Sequence, residues 1–430
     1  MKRKEEFMIY RCIEECGYIR EGEAIDYCPK CFGNMEERKE KDMTGEDWCQ
    51  LGIFFSEEEE VEKAVQCFAK AAKEGDALGV CNLGWCYEVG FGVECDEKQA
   101  VWLYEQAISL QYIPAYCNLG LCYENGIGVS TDLEMAAWCY QQAAKQDNER
   151  GKRLLGNCYA YGNGVEQKEE IAFRLMEEAA IAGDLDAIYY LGTFYWNGTG
   201  TAVSYEKAVE LFQQLVEELE DKDALFYLGY AYGNGTGVKK DLEKAFTYYK
   251  RSALAGELTA KNNLADAYYL GKGTKEEKEK ALFWYEESAK DGNDDACCTL
   301  GRLYQEGIVV KKDVTVGADY YEQACMSQTE NQGLECYLRM AFCYYNGLGR
   351  EKREETGDQW LEEGLCKSKG QERLIKQILV RRNNGICEGS IGKLITWLVE
   401  YLERRINLDI KDEEALQKML VFLRELQTYF

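Results

Sequence analysis

Four cysteines near the start of the chain carry the clearest chemistry in the sequence. Cys12 and Cys16 form one close pair, Cys28 and Cys31 a second, with eleven residues between the pairs. Two such pairs can surround one tetrahedral ion with four thiolates, and the metal then serves as the core of a segment too short to build a hydrophobic one. Zinc is the expected occupant, since it makes no redox demand on its ligands. Iron is the alternative, and would make the segment an electron-transfer or redox-sensing module. Elsewhere the composition removes chemistry. There is no histidine among the 430 residues, so no Ser-His-Asp or Cys-His relay, no HExxH zinc site and no imidazole proton shuttle can form within this chain. One Ser-x-x-Lys match, from Ser204 to Lys207, falls where a helix cap and a recurring Lys-Ala pair belong. The chain is expected not to be an enzyme, and no catalytic residue is assigned.

What must position any remaining function is a repeat. With the glycine of Leu119-Gly120 as origin, matching glycines stand at Gly52, Gly84, Gly156, Gly192, Gly229 and Gly301, with Ala265 and Ala341 as substitutes. The spacings are 32, 36, 36, 36, 37, 36, 36 and 40 residues, and a fixed period of this size means a stacked array instead of one central core. Within the unit from Ala115 to Lys145, Leu119, Cys122 and Tyr123 follow helical spacing, and Gly120 lets a second helix approach closely. Asn125 to Val129 then supply Gly126 and Gly128, two residues able to take positive φ, which ends the helix and turns the chain back. Asp132 is placed to cap the next helix, whose buried stripe is Ala136, Tyr140 and Ala143. In the eighth repeat the first loop glycine is kept as Gly307 and the second is replaced by Val309.

This pattern of LG, then Y, GxGV, D, KA, WY and AA resembles the Sel1-like repeat family, a relative of the tetratricopeptide repeat. The match spans roughly residues 44 to 368, about three quarters of the chain. The string CGYIREGEA followed by CPKC resembles the rubredoxin-like module at the end of rubrerythrins and, more generally, zinc ribbons. The first pair is Cys-x-x-x-Cys instead of Cys-x-x-Cys and Phe32 stands where a glycine follows the last cysteine, departures that zinc tolerates better than iron. The expected architecture is all-α: a four-cysteine knuckle over 1–40, an α-solenoid of about nine helix-turn-helix repeats over 44–368, and a helical cap over 369–430. The cap is read as helices at Gln371 to Arg382, Gly392 to Arg405 and Glu413 to Phe430.

Tetratricopeptide-like stacking, which the resemblance implies, lines the concave side of the array with the first helix of each repeat. Its inward positions lie three residues before, one after and four after the reference glycine, where side chains are spare for the fold. Among them Trp85, Glu88, Glu124, Asn157, Tyr189, Trp196, Phe226, Tyr230 and Tyr269 are assigned to partner binding. Tyr189, Trp196, Phe226 and Tyr230 would act as aromatic anchors, and Glu88 and Glu124 would attract a basic ligand. The function expected is a protein-interaction scaffold that holds a protein or peptide in the concave groove.

The formal charge of −26 argues against nucleic acid and favours basic partners. No stretch of about 18 apolar residues reads as a membrane span, and no apolar run follows the charged start, so a cytoplasmic protein is expected. The cysteines two residues after the reference position, Cys86, Cys122, Cys158 and Cys343, read as small buried hydrophobes with reduced thiols. The paired loop glycines recur at the repeat period without the Gly-Lys-Ser/Thr ending of a phosphate loop, so they read as turns.

Overall fold

A computed structural model of the chain describes residues 9–12, 19–21, 35–38, 42–326 and 334–368. The chain divides into two compact units, Met1–Leu211 and Phe212–Phe430. In the first unit β1 (Ile9–Cys12), β2 (Ile19–Glu21) and β3 (Met35–Arg38) form an antiparallel sheet in the order β2-β1-β3. Pairs of helices follow: α1 (Gly45–Glu57) with α2 (Val61–Lys73), α3 (Ala77–Val89) with α4 (Glu97–Ser109), α5 (Pro114–Asn125) with α6 (Leu133–Ala144), and α7 (Glu149–Tyr161) with α8 (Glu169–Ile181). Then comes α9 (Leu185–Asn197), while α10 (Tyr205–Leu219) runs across the division between the units. The second unit pairs α11 (Lys222–Asn234) with α12 (Leu242–Leu254), and α13 (Leu258–Leu270) with α14 (Lys278–Lys290). It ends, among the described residues, with α15 (Asp294–Glu306) on α16 (Val314–Met326) and α17 (Leu334–Asn346) on α18 (Glu354–Ser368). Eight of the repeats are therefore packed helix pairs, as the period predicts. The three helices expected after residue 368 lie outside the described residues.

Local chemistry accounts for the helix boundaries. α5 stops at Gly126, which takes φ 73 and donates its N–H back to the Cys122 carbonyl. α6 starts at Asp132, whose carboxylate accepts the Met135 N–H at 2.9 Å. Side chains of Asp76, Asp96, Asn148, Asp184, Asp221, Asp241 and Asn293 cap their helices in the same way. Ala136, Tyr140 and Ala143 are all buried. A Cβ added at Gly120 would lie 2.4 Å from Cε1 of Tyr140, so the close helix approach expected there is a ring laid on bare backbone.

The loop glycines do more than turn the chain. A Cβ on Gly164 would sit 1.9 Å from the Leu133 carbonyl oxygen at the start of α6, and one on Gly128 would sit 2.3 Å from the Glu97 carbonyl oxygen at the start of α4. The Gly128 N–H also donates to the Glu97 carboxylate at 3.0 Å. Each of these loops is thus seated on the second-helix start of the preceding repeat. Val309 takes φ 68 in the eighth repeat, a left-handed backbone that costs an L-residue roughly 1–2 kcal/mol.

Each unit has its own apolar core, one reaching from Met43 to Cys139 and the other from Ala253 to Cys343. Cys86, Cys122, Cys158 and Cys343 are buried free thiols within the helix pairs. Burial pushes the first three up to about 12 and Cys343 up to about 11.

Of the four N-terminal cysteines, Cys12 is the last residue of β1, and Cys16, Cys28 and Cys31 lie outside the described residues. The backbone register pairs Cys12 with Met35, the first residue of β3, which the chain enters shortly after Cys31.

Candidate functional site

The first helices carry the candidate site, and each unit presents its own row. In the first unit Trp85, one residue after Gly84, is 42% exposed, with its ring 5.1 Å from Phe91. Leu121 and Asn157 hold the equivalent positions on α5 and α7 and are half-buried. The Asn157 Oδ1 is buried with no hydrogen-bond partner among the described residues. On α9, Tyr189 meets Tyr190 edge-on at 5.6 Å, and Trp196 meets Tyr205 edge-on at 5.1 Å; both assigned residues are half-buried. In the second unit Phe226 is half-buried, 6.2 Å from Tyr249, and Tyr230 is 43% exposed. Tyr269 is half-buried, 6.5 Å from Tyr285.

Glu88 and Glu124 have an occupation within the fold. The buried Tyr104 donates its O–H to the Glu88 carboxylate at 2.5 Å, and the buried Tyr140 does the same to Glu124 at 2.5 Å. Burial and the neighbouring carboxylate push both phenols well above the usual tyrosine range. The expectation that positions four residues after the glycine are spare for the fold is therefore corrected for these two. The sequence does contain a signal for it: the same separation of 16 residues joins Glu88 to Tyr104, Glu124 to Tyr140 and Gln305 to Tyr321. The Tyr285 hydroxyl likewise donates to Asp266 at 2.5 Å.

The positions three residues before the glycine are a seam between repeats in the first unit. Asn118 donates to the Cys81 sulfur at 3.3 Å and accepts from Arg150 at 2.9 Å, while Cys117 donates to Asn148 at 3.4 Å. Arg153 grips Asp184 through its Nε at 3.0 Å and Asp186 through an Nη at 2.9 Å. Burial holds Cys81 and Cys117 up at about 11. The open part of the row is thus the column directly after the glycine, where Trp85 and Tyr230 stand.

The same column continues to Arg302, on α15 directly after Gly301, which is 9% exposed. An open depression of about 620 Å³ also lies in the second unit, bordered by Asp294, Asp319, Glu322 and Met326. Its acids are in part committed already, since Arg350 bonds Asp319 at 2.8 Å and Glu322 at 2.5 Å.

No described helix is long and apolar enough to cross a membrane. Among solved structures the chain is similar to a protective antigen of uropathogenic Escherichia coli displaying an SLR fold, with 21% identity and a TM-score of 0.55 over 90% of this chain and 91% of that one. It is also similar to a Sel1 repeat protein from Oxalobacter formigenes, with 25% identity and a TM-score of 0.53 over 73% of this chain and 88% of that one. No curated protein matches the chain. The Sel1 repeat itself matches nine times, at residues 48–76, 77–112, 113–148, 151–184, 185–218, 222–257, 259–293, 294–328 and 334–362. With most of its length accounted for by those nine matches and their helix pairs, the chain belongs to the Sel1 repeat family.

Proposed function

We propose that the chain is a non-catalytic protein-interaction scaffold that binds a polypeptide along the first-helix faces of its units. The observation that carries this reading is the exposure of Trp85 and Tyr230. They stand at one register position in two different repeats, more than 40% open, while Tyr104, Tyr140, Tyr285 and Tyr321 are fully buried. Rigid amphipathic rings left open on a repeat scaffold are the usual source of binding hot spots. Tyr189, Trp196, Phe226 and Tyr269 extend the same aromatic lining within their units, and the Asn157 Oδ1 offers an acceptor to a ligand N–H. The charge of −26 favours a partner of basic overall composition in the cytoplasm, although Glu88 and Glu124 serve that field with carboxylates already hydrogen-bonded. The test is affinity capture from the native cell with the parent chain and with Trp85→Ala, Trp196→Ala and Tyr230→Ala variants whose circular dichroism is unchanged. The reading expects co-purifying proteins that the variants lose. An identical set retained by every variant overturns it.

The N-terminal segment is proposed to be a structural zinc module held by Cys12, Cys16, Cys28 and Cys31. Support comes from the two-pair spacing and from the antiparallel sheet that sets the end of β1 beside the start of β3. Elemental analysis is expected to return one zinc per chain, with a colourless protein. A red protein containing iron would assign the electron-transfer alternative, and no metal at all would remove the module.

A further inference from the structure

Arg302 holds the position that Trp85 and Tyr230 hold in their own repeats, yet its side chain is drawn in to 9% exposure. Among the described residues it makes no hydrogen bond or ion pair. Three further arginines screened from water among the described residues are engaged: Arg153 by Asp184 and Asp186, Arg339 by Glu335, Arg350 by Asp319 and Glu322. A guanidinium cannot discard its proton to escape burial, so holding one away from water without a counter-charge is unfavourable unless an anion arrives.

None of its described neighbours on the row bonds to it. Asp266, the equivalent residue one repeat earlier, takes the Tyr285 hydroxyl at 2.5 Å. Gln305, one turn further along α15, accepts from Tyr321 at 3.1 Å and donates to the Cys343 sulfur at 3.5 Å. The preceding repeat adds a complementary gap. Asn262 is 5% exposed and its Oδ1 has no hydrogen-bond partner among the described residues. In the first unit the residues at its register, Cys49 and Cys81, each receive a bond from the first helix of the next repeat. After Asn262 the next first helix is α15, so the first helices of two successive repeats carry an amide acceptor lacking a donor and a cationic donor lacking an acceptor.

We infer that Arg302 is the anion anchor of the second unit and takes a carboxylate of the bound polypeptide, with Asn262 accepting one of that polypeptide's N–H groups. The planar fork of arginine suits a carboxylate bidentately, and a peptide supplies both missing partners at once. The inference rests on the scaffold reading and adds the chemistry of the occupant: a polypeptide of basic overall composition that presents a C-terminal or side-chain carboxylate at Arg302.

The test follows the Arg302 Nε–Hε resonance in protein labelled with ¹⁵N-arginine, assigned by its disappearance in Arg302→Met. Three acetylated pentapeptides serve as probes: an amidated one with a single glutamate, its glutamine counterpart, and the glutamine peptide with a free C-terminus. The resonance is expected to shift with the glutamate peptide, the free-terminus peptide or both, which identifies the source of the carboxylate, and to stay still with the amidated glutamine peptide. Arg302→Lys, lacking the fork, is expected to weaken the interaction about tenfold. No shift with any carboxylate probe up to ~10 mM, tenfold above the ~1 mM that about 4 kcal/mol of binding gives, overturns the inference. A second readout needs no ligand. Arg302→Met is expected to melt at or above the parent temperature, and a lower melting temperature would show that the chain itself holds the guanidinium. If affinity capture loses its partner in the aromatic variants but keeps it in Arg302→Met, the anchor falls and the scaffold stands; if the aromatic variants keep it, the scaffold falls whatever the titration shows.

Discussion

Two columns of side chains stand one residue apart along the first helices and obey opposite rules. The first is the reference column, where a Cβ at Gly84, Gly120 or Gly301 would come within 2.8, 2.4 or 2.4 Å of the ring of Tyr104, Tyr140 or Tyr321. Contact with the second helix leaves it glycine, or alanine at Ala265 and Ala341. The next column reads Ile53, Trp85, Leu121, Asn157, Thr193, Tyr230, Asp266, Arg302 and Phe342, nine positions with no type used twice. A repeat whose packing column holds only glycine or alanine while its neighbour never repeats has separated what makes the fold from what distinguishes one repeat from another. In a scaffold the second kind of position is where a ligand is read.

The comparison can be broken in three ways. The largest effect should be collective and come from the packing side. Burial pushes Cys86, Cys122, Cys139 and Cys158 up to about 12, whereas in the unfolded chain thiols ionise near 8.5. The unfolded state then binds fewer protons than the folded one between these values, so stability is intact below about pH 8.5 and falls as pH rises toward 12. The urea midpoint should drop steadily from pH 8 to pH 10.5, and Cys86→Ala with Cys122→Ala should make the decline shallower. An unchanged slope would mean that these thiols are not what the fold keeps neutral. Next in size is Gly164→Ala, which adds a Cβ against the Leu133 carbonyl at a residue with φ 69. Strain and overpacking together should cost about 3 kcal/mol in urea unfolding. The smallest is Trp85→Ala, in the variable column, expected to change stability by less than about 0.5 kcal/mol. A loss above about 2 kcal/mol there would place Trp85 on the packing side and collapse the distinction.

The sequence shows the packing column plainly, since its rules are local. Gly126 ending α5, Asp132 capping α6 and Tyr140 lying on Gly120 all follow from spacing within one repeat. What escaped is whatever depends on a neighbour across a turn or in the next repeat. The bond from Tyr104 to Glu88 spans 16 residues, a separation that matches no helical or strand period and acquires meaning only once two helices lie antiparallel. The seat of Gly164 on Leu133 joins two repeats, so a single repeat unit reads as a turn and nothing more. Arg302 is invisible in the sequence for another reason: its type is ordinary for an exposed helix position, and only its burial without a partner among the described residues singles it out. The four N-terminal cysteines are legible as spacing alone, with Cys12 the one member among the described residues.

Because the loops at Gly92, Gly128, Gly164, Gly200, Gly273 and Gly349 each rest on the helix one rung back, the array has a quantum of length. Gly128 and Gly164 are 36 residues apart and rest on equivalent carbonyls of successive rungs. Excising the residues between them, together with one of the two glycines, would return the chain to an identical joint, whereas a deletion that is not a whole number of rungs would leave a loop with nothing beneath it. Lengthening or shortening by whole rungs is therefore the change in size that this architecture absorbs most readily, and each rung gained or lost would add or remove one letter of the variable column.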